Sequence, residues 1–130
     1  QEKNIQMTCV ADGKALDFVN PMDICSIFGN ALDNAITSAE KVENPERRLI
    51  HVTVSQEKSF LRIKIENSFQ GVLKMKNQLP ITTKEDRRYH GFGLKSMKEI
   101  AEKYKGSMTV SAKDGWFELR ILIPFPESEK

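Results

Sequence analysis

The spacing of apolar residues changes period several times along the chain, and those changes divide it into elements. Ile24, Ile27, Phe28, Ala31, Leu32, Ala35, Ile36 and Ala39 recur at helical spacing. Such a stripe predicts an amphipathic helix with one face on a core. Asn20 suits the N-cap, Pro21 the first helical position, and Asp23 complements the positive end of the helix dipole. The pattern carries this helix to about Val42, where Asn44-Pro45 ends it. The period then falls to two. Ile50, Val52 and Val54 mark one strand, Leu61, Ile63 and Ile65 the next, and Ser55 to Ser59 joins them as a hairpin. A second helical stripe carries Leu94, Met97, Ile100, Ala101 and Tyr104, with Gly106 expected at its C′ position. Two more strands, near 107–112 and 116–123, flank the turn Lys113-Asp114-Gly115. Residues 4–10 predict an edge strand ahead of the turn Ala11-Asp12-Gly13-Lys14. Leu16, Phe18 and Val19 lead from there into the first helix.

The order is strand, helix, hairpin, long loop, helix, hairpin. It predicts an α/β (α+β) two-layer sandwich, with a mixed, largely antiparallel sheet covered on one face by helices. One domain over 1–130 is expected, with a flexible tail at 125–130. The stretch from Ser68 to about His90 has no clear pattern. It spans on the order of 20 residues, long for a compact domain, and loops of that kind are usually lids or binding loops.

Composition narrows the class. The chain has 130 residues, 39% apolar and 29% charged, which suits one globular core. A net charge of +2 is too balanced to argue for nucleic acid. No apolar run approaches the ~18 residues of a membrane span, and no signal-peptide pattern opens the chain. Cys9, Cys25, His51 and His90 lack the spacing of a zinc site. Both thiols read as small apolar residues in a reducing compartment. The chain opens at Gln1 without an initiator methionine and is expected to be a fragment of a longer protein.

Four features could carry chemistry. Asn30 and Asn34, four residues apart, share one flank of the first helix beside its apolar stripe. They are either two surface amides or oxygen donors for a metal ion and a phosphate chain, since magnesium takes oxygen ligands. In "HGFGLKSM", His90 to Met97, two glycines open the second helix. Its free N–H groups make a natural phosphate site, unless the glycines are loop punctuation. Asn67 is expected just past the end of the strand Leu61 to Glu66, on the inward face. It is a turn asparagine, or a buried amide needing a partner such as an adenine amino group. The loop holds Lys74, Lys76, Lys84, Arg87 and Arg88 against Glu85 and Asp86, either a solvated charge run or a basic lid. No aromatics interleave these charges, which argues against single-stranded nucleic acid.

Taken in order, "GNALDNAI", "NSFQG", "TTK" and "HGFGL" resemble the N box, G1 box, lid and G2 box of the GHKL (Bergerat-like) ATP-binding fold. The likeness runs from about residue 4 to 124. It is most similar to the kinase domains of Agr-type quorum-sensing histidine kinases. The resemblance implies that Asn34 is a magnesium ligand, with Asn30 beside it on metal or phosphate. It implies that Asn67 reads adenine, where most members carry aspartate, and that Gly71 is the last glycine of its box. Gly91, Gly93 and the backbone of Leu94 would hold phosphates, and Thr83, Lys84 and His90 would close over them. Two positions depart from the pattern. Phe69 replaces the first glycine of the G1 box, and Thr37 stands where many kinases carry a longer polar residue.

The resemblance further implies a function. The domain would bind Mg-ATP and donate the γ-phosphoryl group to a histidine on a separate helical dimerisation segment. A response regulator would act downstream. The domain would be the cytoplasmic part of a membrane-anchored bacterial sensor, without inserting into the membrane itself. The isolated chain would not phosphorylate itself, because neither His51 nor His90 suits an acceptor. Asn30 stands where the ATPase members carry a glutamate base, and an amide cannot accept a proton. The alternatives are a GHKL ATPase, or a nucleotide-binding or pseudo-kinase interaction module, which the altered G1 box favours.

Overall fold

In a computed structural model, residues 4–70, 75–76, 79–80 and 92–126 are described, with side-chain contacts for 4–70 and 93–126. The strands are β1 (Gln6–Ala11), β2 (Leu49–Glu57), β3 (Phe60–Ser68), β4 (Met75–Lys76), β5 (Leu79–Pro80), β6 (Ser107–Lys113) and β7 (Trp116–Pro124). The helices among the described residues are α1 (Pro21–Glu40) and α2 (Phe92–Lys103), with short 3-10 turns at Gly13–Leu16 and Pro45–Arg47. Five strands form one sheet in the order β1-β2-β3-β7-β6. The β1–β2 pairing is parallel and the other three are antiparallel. The sheet is therefore mixed and largely antiparallel, as the pattern of elements predicts.

Alternation decides which face is covered. Val52 lies opposite Ile65, Ile65 opposite Leu119, and Leu119 opposite Val110, so apolar side chains run across the sheet in one layer. Ile27, Ala31, Ala35 and Ala39 of α1 and Leu94, Met97 and Ala101 of α2 pack into the same core. The other face carries the intervening positions, including the ion pairs Arg62–Glu57 at 3.1 Å and Arg120–Glu118 at 2.9 Å. No helix of the described residues is long and apolar enough to cross a membrane.

Local chemistry sets the boundaries. Asn20 Oδ1 accepts from Met22 N at 2.8 Å, so the expected N-cap forms ahead of Pro21. α1 ends at Glu40 rather than near Val42. Its last turn tightens through bonds from Lys41 N to Ser38 O at 3.2 Å and from Val42 N to Ala39 O at 3.1 Å. The β2–β3 turn narrows to Lys58-Ser59, with Lys58 at φ 57. In the β6–β7 turn Asp114 and Gly115 both have positive φ, 54 and 84, as a two-residue primed turn requires.

Three expectations are corrected. The left-handed residue closing α2 is Lys105, at φ 66, not Gly106. Lys105 N bonds to Glu102 O at 2.9 Å and Gly106 N to Ala101 O at 2.8 Å, so Gly106 occupies the next position of a Schellman motif. Glycine is still required there, because a β-carbon would stand 2.2 Å from Leu122 O. Asn67 lies within β3 rather than past its end, since pairing with Ile50 and Phe117 continues through it. Cys9 and Cys25 are both exposed rather than packed as small apolar residues: the helix layer leaves edge strand β1 uncovered, and Cys25 lies off the buried stripe of α1.

The ends of the two helices are tied by polar groups. Tyr104 Oη accepts from Asn20 N at 3.0 Å and donates to Asp23 Oδ2 at 2.5 Å. Lys103 Nζ lies 2.6 Å from the same carboxylate oxygen. The Lys103 hydrogen bond first, and the Tyr104 hydroxyl second, hold the Asp23 carboxyl below its usual range. Asp23 in turn raises the Lys103 ammonium.

Two measurements test this account. Gly29 is exposed within α1 and a β-carbon there meets nothing within 4 Å. Gly29→Ala should therefore stabilise the fold by about 0.5–1 kcal/mol, whereas Gly106→Ala should destabilise it by about 1–3 kcal/mol in denaturant titrations. The second concerns pH. A depressed carboxyl adds stability above its unfolded value of about 3.9, and that stability is lost as pH falls through the lower folded value. The raised Lys103 adds stability below its unfolded value of about 10.4, lost as pH climbs through the higher folded value. Asp23→Asn should flatten the acid limb of the stability profile and leave the neutral region flat.

Candidate functional site

Asn30 and Asn34 sit one turn apart on α1, both half-buried. The Asn30 amide reaches back one turn. Its Nδ2 donates to Ser26 O at 2.8 Å and lies 3.3 Å from Ser26 Oγ. With the nitrogen donating to a carbonyl, the flip of the amide is set and Oδ1 is left as the acceptor. That oxygen meets α2. A β-carbon built on Gly93 would stand 2.9 Å from Asn30 Oδ1 and 3.3 Å from its Cγ. Glycine lets the first turn of α2 lie against this flank of α1 without displacing the Asn30 amide.

The meeting point has a defined electrostatic character. The first turn of a helix carries N–H groups without intrahelical partners and a partial positive charge. Here that turn begins at Phe92 and abuts an amide oxygen. Leu94, 3% exposed, anchors it in the core one residue later. The structure thus brings Asn30 together with Gly93, and places Asn34 on the same helix and Leu94 beside Gly93.

Asn67 occupies the sheet beneath. It is 1% exposed, so its amide must be paired. Nδ2 donates to Ser68 O at 2.8 Å, which leaves Oδ1 as the acceptor end. The inward-facing position expected from the alternation is the one observed. Gly71, Thr83, Lys84, His90 and Gly91 lie outside the described residues.

Phe69 and its neighbours add what the sequence did not display. Phe69 N donates to Gly115 O at 2.8 Å, and its ring stands 6.0 Å from that of Phe117. Gln70 Oε1 accepts from Glu43 N at 2.9 Å, which ties the loop after α1 to the segment after β3. Ser26, one turn before Asn30, also belongs to the junction, and only its spacing of four from Asn30 hints at this in the sequence. Two open clefts among the described residues, of about 560 and 690 Å³, are lined by none of Asn30, Asn34, Asn67 or Gly93. The candidate site is a junction of two helices rather than one of these clefts. Among the described residues no three His, Cys, Asp or Glu side chains cluster as metal ligands.

A family model described as a GHKL domain matches residues 19–124. The chain belongs to the GHKL domain family. The likeness extends to solved structures that share this domain's mixed, largely antiparallel sheet and covering helices. The catalytic domain of histidine kinase ThkA, in a nucleotide-free form, superposes with a TM-score of 0.72 at 23% identity, over 95% of this chain and 82% of that one. Acinetobacter baumannii histidine kinase AdeS gives 0.63 at 18% identity, over 95% of this chain and 55% of that one. Full-length ShkA in complex with AMPPNP gives 0.64 at 15% identity, over 99% of this chain and 27% of that one. Among curated proteins, none matches. At these identities the likeness is one of fold, and nothing in it singles out the Agr-type subgroup.

The Gly93 contact of this GHKL domain can be broken by one methyl group. Gly93→Ala should push the Asn30 amide off Ser26 and cost about 1 kcal/mol, despite alanine's better helix propensity. The side-chain amide resonances of Asn30 should shift with it.

Proposed function

We propose that this GHKL domain binds Mg-ATP and presents the γ-phosphoryl group to a histidine on a separate helical dimerisation segment of a sensor kinase. The observation that supports it best is the junction of Asn30 with Gly93. An amide oxygen fixed by Ser26 lies against a glycine-opened helix N-terminus. A chain of phosphates with a cation needs oxygen ligands for the metal and N–H donors for the phosphates, and both kinds meet here.

The residues present fit such a group. Asn34 and Asn30 would supply amide oxygens, and the first-turn N–H groups of α2 would receive phosphate oxygens. Asn67 Oδ1, held by the bond from Nδ2 to Ser68 O, would accept from the adenine amino group. Gly71, Gly91, Thr83, Lys84 and His90 complete the assignment from the stretch between β3 and α2. Bound magnesium would neutralise charge on the phosphates. The domain's own contribution is positioning and charge stabilisation, which phosphoryl transfer mostly requires. Asn30 offers no proton acceptor at neutral pH, so this flank favours transfer over hydrolysis.

The wider reading follows from this one. The domain would be the single catalytic unit of an Agr-type sensor kinase, on the cytoplasmic side of a membrane-anchored protein, with a response regulator acting downstream. A second reading, an interaction module without transfer activity, is favoured by Phe69. Its N–H already serves Gly115 and its side chain occupies the place of a glycine.

Calorimetry with Mg-ATP separates the readings. The wild-type chain should bind, and Asn34→Ala should weaken binding by at least about ten-fold with the fold intact, the scale seen when metal-site partners are removed. No binding at millimolar nucleotide would favour the interaction module. Radiolabelled ATP should leave no label on the isolated chain, and strong labelling at a histidine would overturn the assignment of an acceptor elsewhere.

A further inference from the structure

We propose that Tyr104 is a positioning residue of the nucleotide site, because its hydroxyl links the start of α1 to the end of α2 and so sets where Gly93 meets Asn30. The inference rests on the nucleotide reading above.

The geometry resembles a helix cap with a foreign atom inserted. In an ordinary capping box, an acid three residues after the N-cap reaches back to the N-cap N–H. Here Asn20 is the N-cap and Asp23 stands three residues on. Yet Asn20 N donates not to Asp23 but to Tyr104 Oη at 3.0 Å, and that hydroxyl passes its own proton to Asp23 Oδ2 at 2.5 Å. Lys103 Nζ closes the cluster at 2.6 Å from the same oxygen and lies 5.3 Å from the centroid of the Tyr104 ring. Phe18 meets that ring edge-on at 6.3 Å, and Phe125 stands 5.4 Å from Phe18.

Neither helix needs the hydroxyl in order to end. α1 has its own cap through Asn20 Oδ1, and α2 closes in the Schellman motif through Ala101 and Glu102. What the hydroxyl supplies is a directional link between them. Lys103 adds an exposed ion pair at the same end, and along the rest of its described length α2 packs into the core through the apolar Leu94, Met97 and Ala101. Apolar burial is non-directional and tolerates a slide, whereas a hydrogen bond loses strength steeply with misalignment. α2 spans ~18 Å as a rigid rod. A shift at Tyr104 therefore reaches Gly93 at the other end. A misplacement of ~1 Å at a reacting centre can cost ~100-fold.

Tyr104→Phe removes the hydroxyl and keeps the ring. Asp23 is then free to bond Asn20 N itself, so the cap of α1 survives. The expected result is a split: a thermal midpoint close to wild type, Mg-ATP affinity lowered by about ten-fold, the scale of one misaligned hydrogen bond to a charged group, and shifted Asn30 side-chain and Gly93 backbone resonances in the nucleotide-free protein. Lys103→Arg should retain wild-type affinity and Lys103→Met should not. If Tyr104→Phe fails to fold, the same readouts on Lys103→Met decide. Unmoved Asn30 and Gly93 resonances would overturn the inference, whether affinity is kept or falls in step with the midpoint. A wild-type chain that binds no Mg-ATP would sink the nucleotide reading instead, and the resonances would still decide whether Tyr104 positions the junction.

Discussion

A missing β-carbon is the constraint on which the junction turns. At position 93 it would stand 2.9 Å from Asn30 Oδ1, closer than real side chains come. Its absence lets α2 begin against the flank of α1. The requirement propagates in both directions. Toward α1, the Asn30 amide must hold one orientation, and Ser26 enforces it from one turn back. Toward α2, the helix must keep its station along α1, and buried small residues allow the close packing this needs. Ala31, Ala35, Ala39 and Ala101 are all at most 1% exposed. Close packing alone leaves the helix free to slide, so the polar tie at Tyr104 matters beyond the contacts it adds.

The parts of the fold legible in the sequence are those whose burial follows directly from periodicity. β2, β3, α1 and α2 each expose one face, and their apolar spacing says which. β1 was legible only as an edge. All six of its residues are exposed, so no burial pattern distinguishes its faces. Its parallel pairing with β2 follows from α1 acting as a crossover between them. The end of α2 misled for a non-local reason. Glycine normally marks the left-handed position, but here Lys105 takes it and Gly106 answers to Leu122 O from a distant strand. The candidate site divides the same way. Asparagine and glycine types were readable from spacing. The contact between Asn30 and Gly93 was not, because it joins residues far apart in the chain. Nor was the Asp23–Tyr104 link, since a tyrosine at the end of an apolar stripe looks like core.

Phe69 bears on only one end of the proposed site. Its N–H extends the β3–β7 pairing by one bond to Gly115, and its ring lies beside Phe117, the register partner of Asn67. The bulky residue thus holds the strand end that carries Asn67, and in doing so withdraws a backbone donor. A ligand ring near Asn67 would feel that loss. The junction of α1 with α2 would feel it less, because among the described residues its hydrogen bonds do not run through Phe69. A weakened grip on adenine is therefore compatible with an intact phosphate end, and the two should respond separately to substitution.

The same separation bears on what the junction can do chemically. The Asn30 oxygen, with its nitrogen tied to Ser26, can accept a hydrogen bond or touch a cation. It cannot take up a proton at neutral pH, as a carboxylate in its place would. Under the nucleotide reading, α1 then supplies charge stabilisation without activating water. Such a site holds its phosphate chain until an acceptor is brought to it. The acceptor's approach, rather than any group on α1, would govern the reaction, and the accuracy with which α2 is stationed would govern how well the phosphate is aimed. On that reading, a hydroxyl at the far end of α2 would bear on the chemistry of the near end.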